Sequence, residues 1–176
     1  MKTWLRLLLV TLTVGGGFTG AAAMLEAMRN ARGFPQLLVL IVFLGLYGFV
    51  VVSGLILVWN PARTRPVLAA LALQVPWLSS TVLTYNFASG MCLEIALGPP
   101  QETGRFGLYA AWYMHFGAYF RFHVGGSGDD PLAFGVNVIA LVLFILVLRS
   151  NRLSHKASQQ TVAASAVDNA PIHLAP

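Results

Sequence analysis

The stretch from Trp112 to Val124, WYMHFGAYFRFHV, alternates between apolar and more polar side chains with a period of two residues. Every even position is apolar, whereas tyrosine, histidine, glycine and arginine occupy the odd positions. Successive residues of a β-strand point to opposite faces, while a helix turns about 100° per residue and would mix these side chains. The pattern predicts a continuous or gently bent strand whose even residues form a buried face.

The best partner for this strand is the segment from Cys92 to Leu97, CLEIAL, which shows the same alternation. The residues between the two segments include GPPQETGRFG, a sequence rich in turn formers. We therefore expect residues 91–130 to form a small β hairpin or sheet. An open sheet edge cannot remain unpaired in lipid, so this β cap is expected outside the bilayer. Its aromatic face is expected to cover the outer ends of the helices or to rest at the level of the lipid headgroups.

The rest of the chain is dominated by apolar runs long enough to cross a hydrocarbon core, which needs about 20 helical residues. Of the 176 residues, 57% are hydrophobic and 10% are charged, which is typical of an integral membrane protein. The pattern predicts an α-helical protein with four transmembrane helices and the β cap between the third and fourth. The predicted spans are about 4–25, 34–59, 67–90 and 131–148. Together with the cap they form a membrane domain over residues 1–149, and the polar residues 150–176 are expected to form a disordered cytoplasmic tail.

The first span has a second interpretation. Lys2 and Arg6 precede an apolar run, and Ala21 and Ala23 are spaced as in a signal-peptidase site, so residues 1–23 also resemble a cleaved secretory signal. Both interpretations leave the other spans in the same orientation.

Basic residues are distributed unequally about the predicted spans. Seven lie on one side (Lys2, Arg6, Arg63, Arg65, Arg149, Arg152 and Lys156) and four on the other (Arg29, Arg32, Arg105 and Arg121). By the positive-inside rule both termini are cytoplasmic, as in a multi-pass protein of a bacterial inner membrane. Membrane topology explains the net charge of +5, so no nucleic-acid partner is expected.

The β cap carries the polar groups that could meet a partner. The candidate interaction surface comprises Tyr113, His115, Tyr119, Arg121, His123 and Glu94. His115 and His123 are roughly 26 Å apart along a straight strand, too far to share a zinc ion. Arg121 could complement an acidic or anionic group, and its alternative role is a cross-strand partner of Glu94. No metal or cofactor is expected, and Asp130 with Pro131 is expected to begin the fourth helix.

The third span is the most polar, and Gln74, Thr81 and Thr84 lie approximately on one face if it is helical. This stripe could line a solute pathway, but interhelical packing is favoured, as it is for Asn137 in the last span. The cores of the second to fourth spans contain no Asp, Glu, Lys, Arg or His, which argues against proton pumping and intramembrane acid–base catalysis. The single cysteine, Cys92, is expected to be a buried apolar residue that forms no internal disulfide.

These features favour a non-enzymatic subunit or accessory protein that acts through its outer aromatic surface. Besides the lipid bilayer, its expected partners are a membrane or periplasmic protein or a second copy of the chain. Two alternatives remain open: a membrane-surface enzyme acting on a lipid-linked or envelope substrate, and a small transporter that uses the polar third span.

Overall fold

The computed structural model describes residues 1–80, 82–97, 111–124 and 132–152. The N-terminal helix is continuous and consists of α1 (Thr3–Val10), a π-helical turn (Thr11–Gly15) and α2 (Gly16–Arg29). After a short loop follows α3 (Phe34–Trp59). The segments 3–29 and 34–59 are both long and apolar enough to cross a membrane. The prediction that residues 34–59 form a helix is confirmed. The first helix extends to Arg29, beyond the end predicted at residue 25.

The prediction that residues 67–90 form one helical span is wrong. Helix α4 (Arg65–Gln74) ends before Pro76, and the chain continues as strands β1 (Pro76–Ser79) and β2 (Leu83–Ala88). Proline lacks the backbone N–H that a helix interior needs. Beyond it, LTYNFA is rich in residues that favour strands and alternates in polarity.

The predicted fourth span, 131–148, is also only partly helical. Residues Ala133–Asn137 form strand β6, and the helix that follows, α5, covers residues 138–152. Asn137 caps this helix, since its Oδ1 accepts a hydrogen bond from the Ala140 N–H at 3.3 Å. The assignment of the helix start to Asp130 and Pro131 is therefore wrong, although those two residues lie outside the described part. The predicted tail begins too early, because residues 150–152 are helical; 153–176 lie outside the described residues.

In the described residues, six strands form one curled antiparallel sheet with the order β4-β3-β6-β1-β2-β5. The remaining strands are β3 (Met91–Leu97), β4 (Ala111–Phe116) and β5 (Tyr119–Val124). The sheet is larger than the predicted hairpin, because it also takes up residues from both of the wrongly assigned spans.

A long bent hairpin supplies the two outer strand pairs of this sheet, on either side of β6 and β1. Strand β3 pairs with β4 and strand β2 with β5, in one unbroken register that runs from Leu83 opposite Val124 to Ala96 opposite Ala111. At the bend, Gly90 and Gly117 exchange two backbone hydrogen bonds and both have positive φ. The predicted pairing of Cys92–Leu97 with the long strand is confirmed. That strand is interrupted at Gly117 but does not fold back on itself.

The apolar core is divided between two ends of the molecule. At one end, which we call the bundle end, α1, α3, α4 and α5 pack together around buried leucine and valine side chains. At the other end the sheet packs on α2 and α3, with Phe87, Phe120 and Phe122 against Phe43. The sheet thus packs alongside the N-terminal half of α3, through Phe43 and Tyr47, rather than over the ends of the helices.

The prediction that the even residues of 112–124 form one buried face holds for only half of the strand. In β5, Phe120 and Phe122 are half-buried against α3. In β4, Met114 and Phe116 are 53% and 64% exposed. The side chains of Trp112 and Val124 lie outside the described part of the chain. The alternation is real, but α3 covers only the β2–β5 half of the sheet.

Candidate functional site

The bend of the long hairpin contacts the middle of the first helix. A side chain at Gly16 would overlap the Gly90 backbone, and one at Gly90 would meet the backbone of Leu12. The π-helical turn Thr11–Gly15 lies at this contact, so the helix departs from regular geometry where it meets the sheet. π-Helical turns within α-helices are frequent at functional sites. The junction between the hairpin bend and the first helix is therefore a candidate functional site.

Beside the junction, the concave face of the sheet carries three polar side chains that bond to one another. Glu94 Oε1 accepts a hydrogen bond from Asn86 Nδ2 at 2.7 Å and one from Cys92 Sγ at 3.1 Å. All three residues are buried, and Glu94 is only 8% exposed. They meet because the even residues of β2 and β3 share the concave face. The odd residues of β2, such as Phe87, point toward α3.

The Cys92 thiol is held in its neutral form. Burial, the hydrogen bond to Glu94 and the charge of that carboxylate all raise the pKa of the thiol. A thiolate is the reactive species in nucleophilic and redox chemistry. Cys92 is therefore an unreactive hydrogen-bond donor to Glu94, in keeping with the expectation that it is buried.

Two further polar residues meet at the C-terminal end of α4. Gln74 Oε1 accepts a hydrogen bond from the Ser89 N–H at 2.8 Å, and Gln74 Nε2 donates to the Ala70 carbonyl at 3.0 Å. This arrangement ties the end of α4 to the hairpin bend. The Ser89 Oγ is buried and has no hydrogen-bond partner among the described atoms.

Asn137, the last residue of β6, completes the group on the same face of the sheet as Glu94. Its backbone N–H donates to the Val75 carbonyl at 2.9 Å, and its Oδ1 accepts from the Leu93 N–H at 3.4 Å. Within the described part of the chain, its buried Nδ2 has no partner. The register places Asn137 directly opposite Glu94. We call the six residues the polar centre: Gln74, Asn86, Ser89, Cys92, Glu94 and Asn137.

Two atoms of the polar centre have no hydrogen-bond partner among the described residues, and few of its side chains are metal ligands. A buried hydrogen-bonding atom left unsatisfied costs about 1–3 kcal/mol, so a water molecule or polar group that bonded to Ser89 Oγ or Asn137 Nδ2 would be stabilised there. In residues 1–80, 82–97, 111–124 and 132–152, no group of three or more His, Cys, Asp or Glu side chains could hold a metal ion.

The predicted interaction residues do not form one exposed surface. Tyr113 and His115 are exposed on β4, opposite Glu94 and Cys92 respectively. The His115 ring also contacts that of Tyr119, with 5.5 Å between centroids. Glu94, in contrast, is buried in the polar centre and unavailable to a partner at the surface.

The predicted pairing of Arg121 with Glu94 is wrong. The register places Arg121 opposite Asn86, and Glu94 bonds to Asn86 and Cys92. His123 lies opposite Thr84 in the same register, but its side chain is outside the described part.

The predicted intramembrane stripe does not exist as a helical face. Gln74 ends α4, Thr84 lies on β2, and Thr81 is outside the described residues. Gln74 and Thr84, the two residues of the stripe that the structure describes, are both buried. The sequence interpretation missed the grouping of Asn86 with Glu94, although the alternation in LTYNFA was a signal that both lie on the same face of connected strands.

A second feature of the sheet is an apolar surface that no described residue covers. Six outward-facing side chains of β3, β4 and β6 are exposed, from 38% at Val136 to 64% at Phe116. The register puts Ile95 beside Val136 and Leu97 beside Phe134, so the side chains are contiguous. We call the six the uncovered face: Ile95, Leu97, Met114, Phe116, Phe134 and Val136.

Comparison with known proteins gives no further guide to these two features. The chain matches no protein family model, and no curated protein or solved structure shows significant similarity to it.

Proposed function

We propose that this protein is a small integral membrane protein that serves as a non-enzymatic accessory subunit and docks on another membrane protein through the uncovered face. The observation that carries the proposal is the unequal covering of the sheet. The same convex apolar surface is packed against α3 at β2 and β5 but exposed at β3, β4 and β6. Exposed apolar patches of this kind mark interaction sites.

The exposed side chains of α3 support membrane insertion. The helix contains no Asp, Glu, Lys, Arg or His, and only 33% of its most apolar 18-residue segment is buried within the protein. The core helix of a soluble protein would be mostly buried. Large apolar residues are instead exposed along its length: Leu38, Ile41, Val42, Val52, Leu55 and Val58. Lipid is the environment in which that surface is stable.

A protein partner suits the uncovered face better than lipid. Among the described strands, β4 is an edge strand that pairs only with β3. Its outer backbone groups need hydrogen-bond partners that hydrocarbon does not provide. A protein surface satisfies both needs, because it covers the apolar side chains and offers backbone or side-chain hydrogen bonds. The partner is a membrane-associated protein or a second copy of this chain.

We also propose that the bundle end of the molecule faces the cytoplasm of a bacterial cell. The N-terminus, the 60–64 loop and the end of α5 lie together there, and this end carries most of the basic residues. Reporter fusions test this orientation. A fusion after Arg152 that behaves as extracytoplasmic would contradict it.

Site-specific photo-crosslinking in intact membranes tests the docking. A crosslinker at Phe134, 55% exposed on the uncovered face, should capture one protein reproducibly, whereas a crosslinker at Val52, 52% exposed on α3, should capture lipid. The same protein should co-purify in mild detergent at a fixed ratio and be lost in Phe134→Ser but not in Val52→Ser. Equal behaviour at the two positions would show that the uncovered face has no special partner. Differently tagged copies identify self-association.

The polar centre supports a second candidate, in which the protein binds a small polar molecule as a transporter or membrane-surface enzyme would. Two buried atoms that have no hydrogen-bond partner among the described residues, Ser89 Oγ and Asn137 Nδ2, favour it. Asn137→Asp keeps an oxygen to cap α5 but removes the amide donor. Native mass spectrometry should then show loss of any bound molecule, and a wild-type protein that carries none would remove this candidate.

A further inference from the structure

Six basic residues lie on three segments of the chain that pack together at the bundle end of the molecule. They are Lys2, Arg6, Arg63, Arg65, Arg149 and Arg152. Asn151 Nδ2 donates a hydrogen bond to Thr64 Oγ1 at 2.6 Å, which joins the end of α5 to the start of α4. Leu5 of α1 belongs to the same buried cluster as Val147 of α5. We call this surface the basic end.

The basic end has no carboxylate to neutralise it in the part of the chain that the structure describes. The acids there are Glu26, near the far end of the first helix, and Glu94, in the polar centre. Five of the six basic side chains are exposed, and Arg6 is half-buried. The rest of the described chain carries Arg29, Arg32 and Arg121 against Glu26 and Glu94, so the formal charges are 6 at the basic end and 3 − 2 = 1 elsewhere. The asymmetry calls for an anionic partner at the basic end only.

Two tryptophans fix the depth of this surface relative to a membrane. Trp4 in α1 and Trp59 at the end of α3 are 54% and 79% exposed, and both lie at the basic end. Tryptophan side chains are favoured at the level of lipid headgroups. The arginines beside them are therefore at the depth of lipid phosphates, with which a guanidinium forms bidentate hydrogen bonds.

We propose that the basic end binds the headgroups of anionic phospholipids, selecting them over zwitterionic lipids. This inference rests on the proposed insertion of the protein in a membrane. It does not depend on the docking partner, which would bind at the other half of the molecule. Lipid fits better than an acidic protein because the charged groups and exposed tryptophans occupy the same end.

Lipid retention by the full chain tests the proposal. The protein is reconstituted in vesicles of equimolar phosphatidylcholine and phosphatidylglycerol and extracted in mild detergent, and its retained lipids are measured by native mass spectrometry. We expect phosphatidylglycerol to be retained roughly tenfold over phosphatidylcholine, with a preference that weakens as salt rises. The double variant Arg149→Gln/Arg152→Gln should lose most of this preference.

The matched control is Arg29→Gln/Arg32→Gln, which removes the same charge from the opposite end and should leave retention unchanged. Arg149→Lys/Arg152→Lys should keep much of the preference, and circular dichroism reports whether each variant is folded. Equal retention of the two lipids by the wild type, equal losses in both Gln variants, or capture of an acidic polypeptide in place of phosphatidylglycerol would overturn the proposal. Release of the protein from membranes by alkaline carbonate would instead refute the membrane insertion on which it rests.

Discussion

Removing the Phe120 ring should destabilise the protein because that ring forms much of the contact between the sheet and α3. Its centroid lies 5.1 Å from that of Phe43, which is only 2% exposed and also contacts Phe87 and Phe122. Truncating a fully buried phenylalanine costs about 3–5 kcal/mol. Phe120 is half-buried, so we expect Phe120→Ala to lower the free energy of unfolding by about 2 kcal/mol.

Part of that loss should belong to the pair of rings. A tilted aromatic pair contributes about 1 kcal/mol beyond its area. A double-mutant cycle with Phe43→Ala should therefore give a coupling free energy of about 1 kcal/mol. The assay is unfolding of the detergent-solubilised protein by sodium dodecyl sulfate, followed by tryptophan fluorescence and circular dichroism.

Phe116→Ala is the matched control, because Phe116 also occupies an even position of the long strand but is 64% exposed. Without a partner protein, its truncation should change stability by less than about 0.5 kcal/mol. Equal losses in Phe116→Ala and Phe120→Ala, or no coupling between Phe43 and Phe120, would show that α3 does not cover the sheet in the way described.

Three further predictions concern the polar centre and the hairpin bend. Glu94→Leu should lower the free energy of unfolding by about 1–3 kcal/mol because it leaves the Asn86 amide without its acceptor. Glu94→Gln should lower it by less, since an oxygen acceptor remains. Equal losses for the two variants in detergent unfolding would contradict this. Because the pKa of the Cys92 thiol is raised, its contribution to stability is fully present below about pH 8.5 and is lost as the pH rises further. Wild type but not Cys92→Ser should therefore lose stability progressively as the pH is raised from about 8.5 to 10, and matched unfolding curves that show the same pH dependence for both would contradict this. Gly117→Ala should destabilise the protein by about 1–3 kcal/mol because φ of Gly117 is +103°, while Gly45→Ala in α3 should stabilise it slightly. Both sites have open space for a Cβ atom, so a thermal scan in which the two variants unfold at the same temperature would refute the role of the positive φ.

The sequence alone determined the elements whose signal is local and strong. The run from Phe34 to Trp59 has no Asp, Glu, Lys, Arg or His and is long enough to be identified as one apolar helix without further information. The two-residue alternation after Trp112 likewise identified a strand and its partner at Cys92–Leu97, because only an extended chain puts alternate residues on one face.

Tertiary structure decided where apolar sequence becomes strand. Residues 67–90 are apolar on average, so composition favours a span, yet the chain switches to a sheet at Pro76. What stabilises that choice is remote in sequence: Phe87 packs on Phe43, and Asn86 bonds to Glu94. Similarly, α5 begins at 138 because Asn137 ends a strand paired with both β1 and β3.

Only the tertiary structure separates the covered half of the sheet from the uncovered face. Phe116 and Phe120 occupy equivalent positions in the alternating pattern, and no local property of the chain distinguishes them. The bend at Gly117 turns β4 away from the helix that packs on β5, so one ring is placed beside Phe43 and the other is left exposed. Periodicity fixes which face of a strand a side chain occupies, but burial of that face depends on the position of a helix about 70 residues away in the chain.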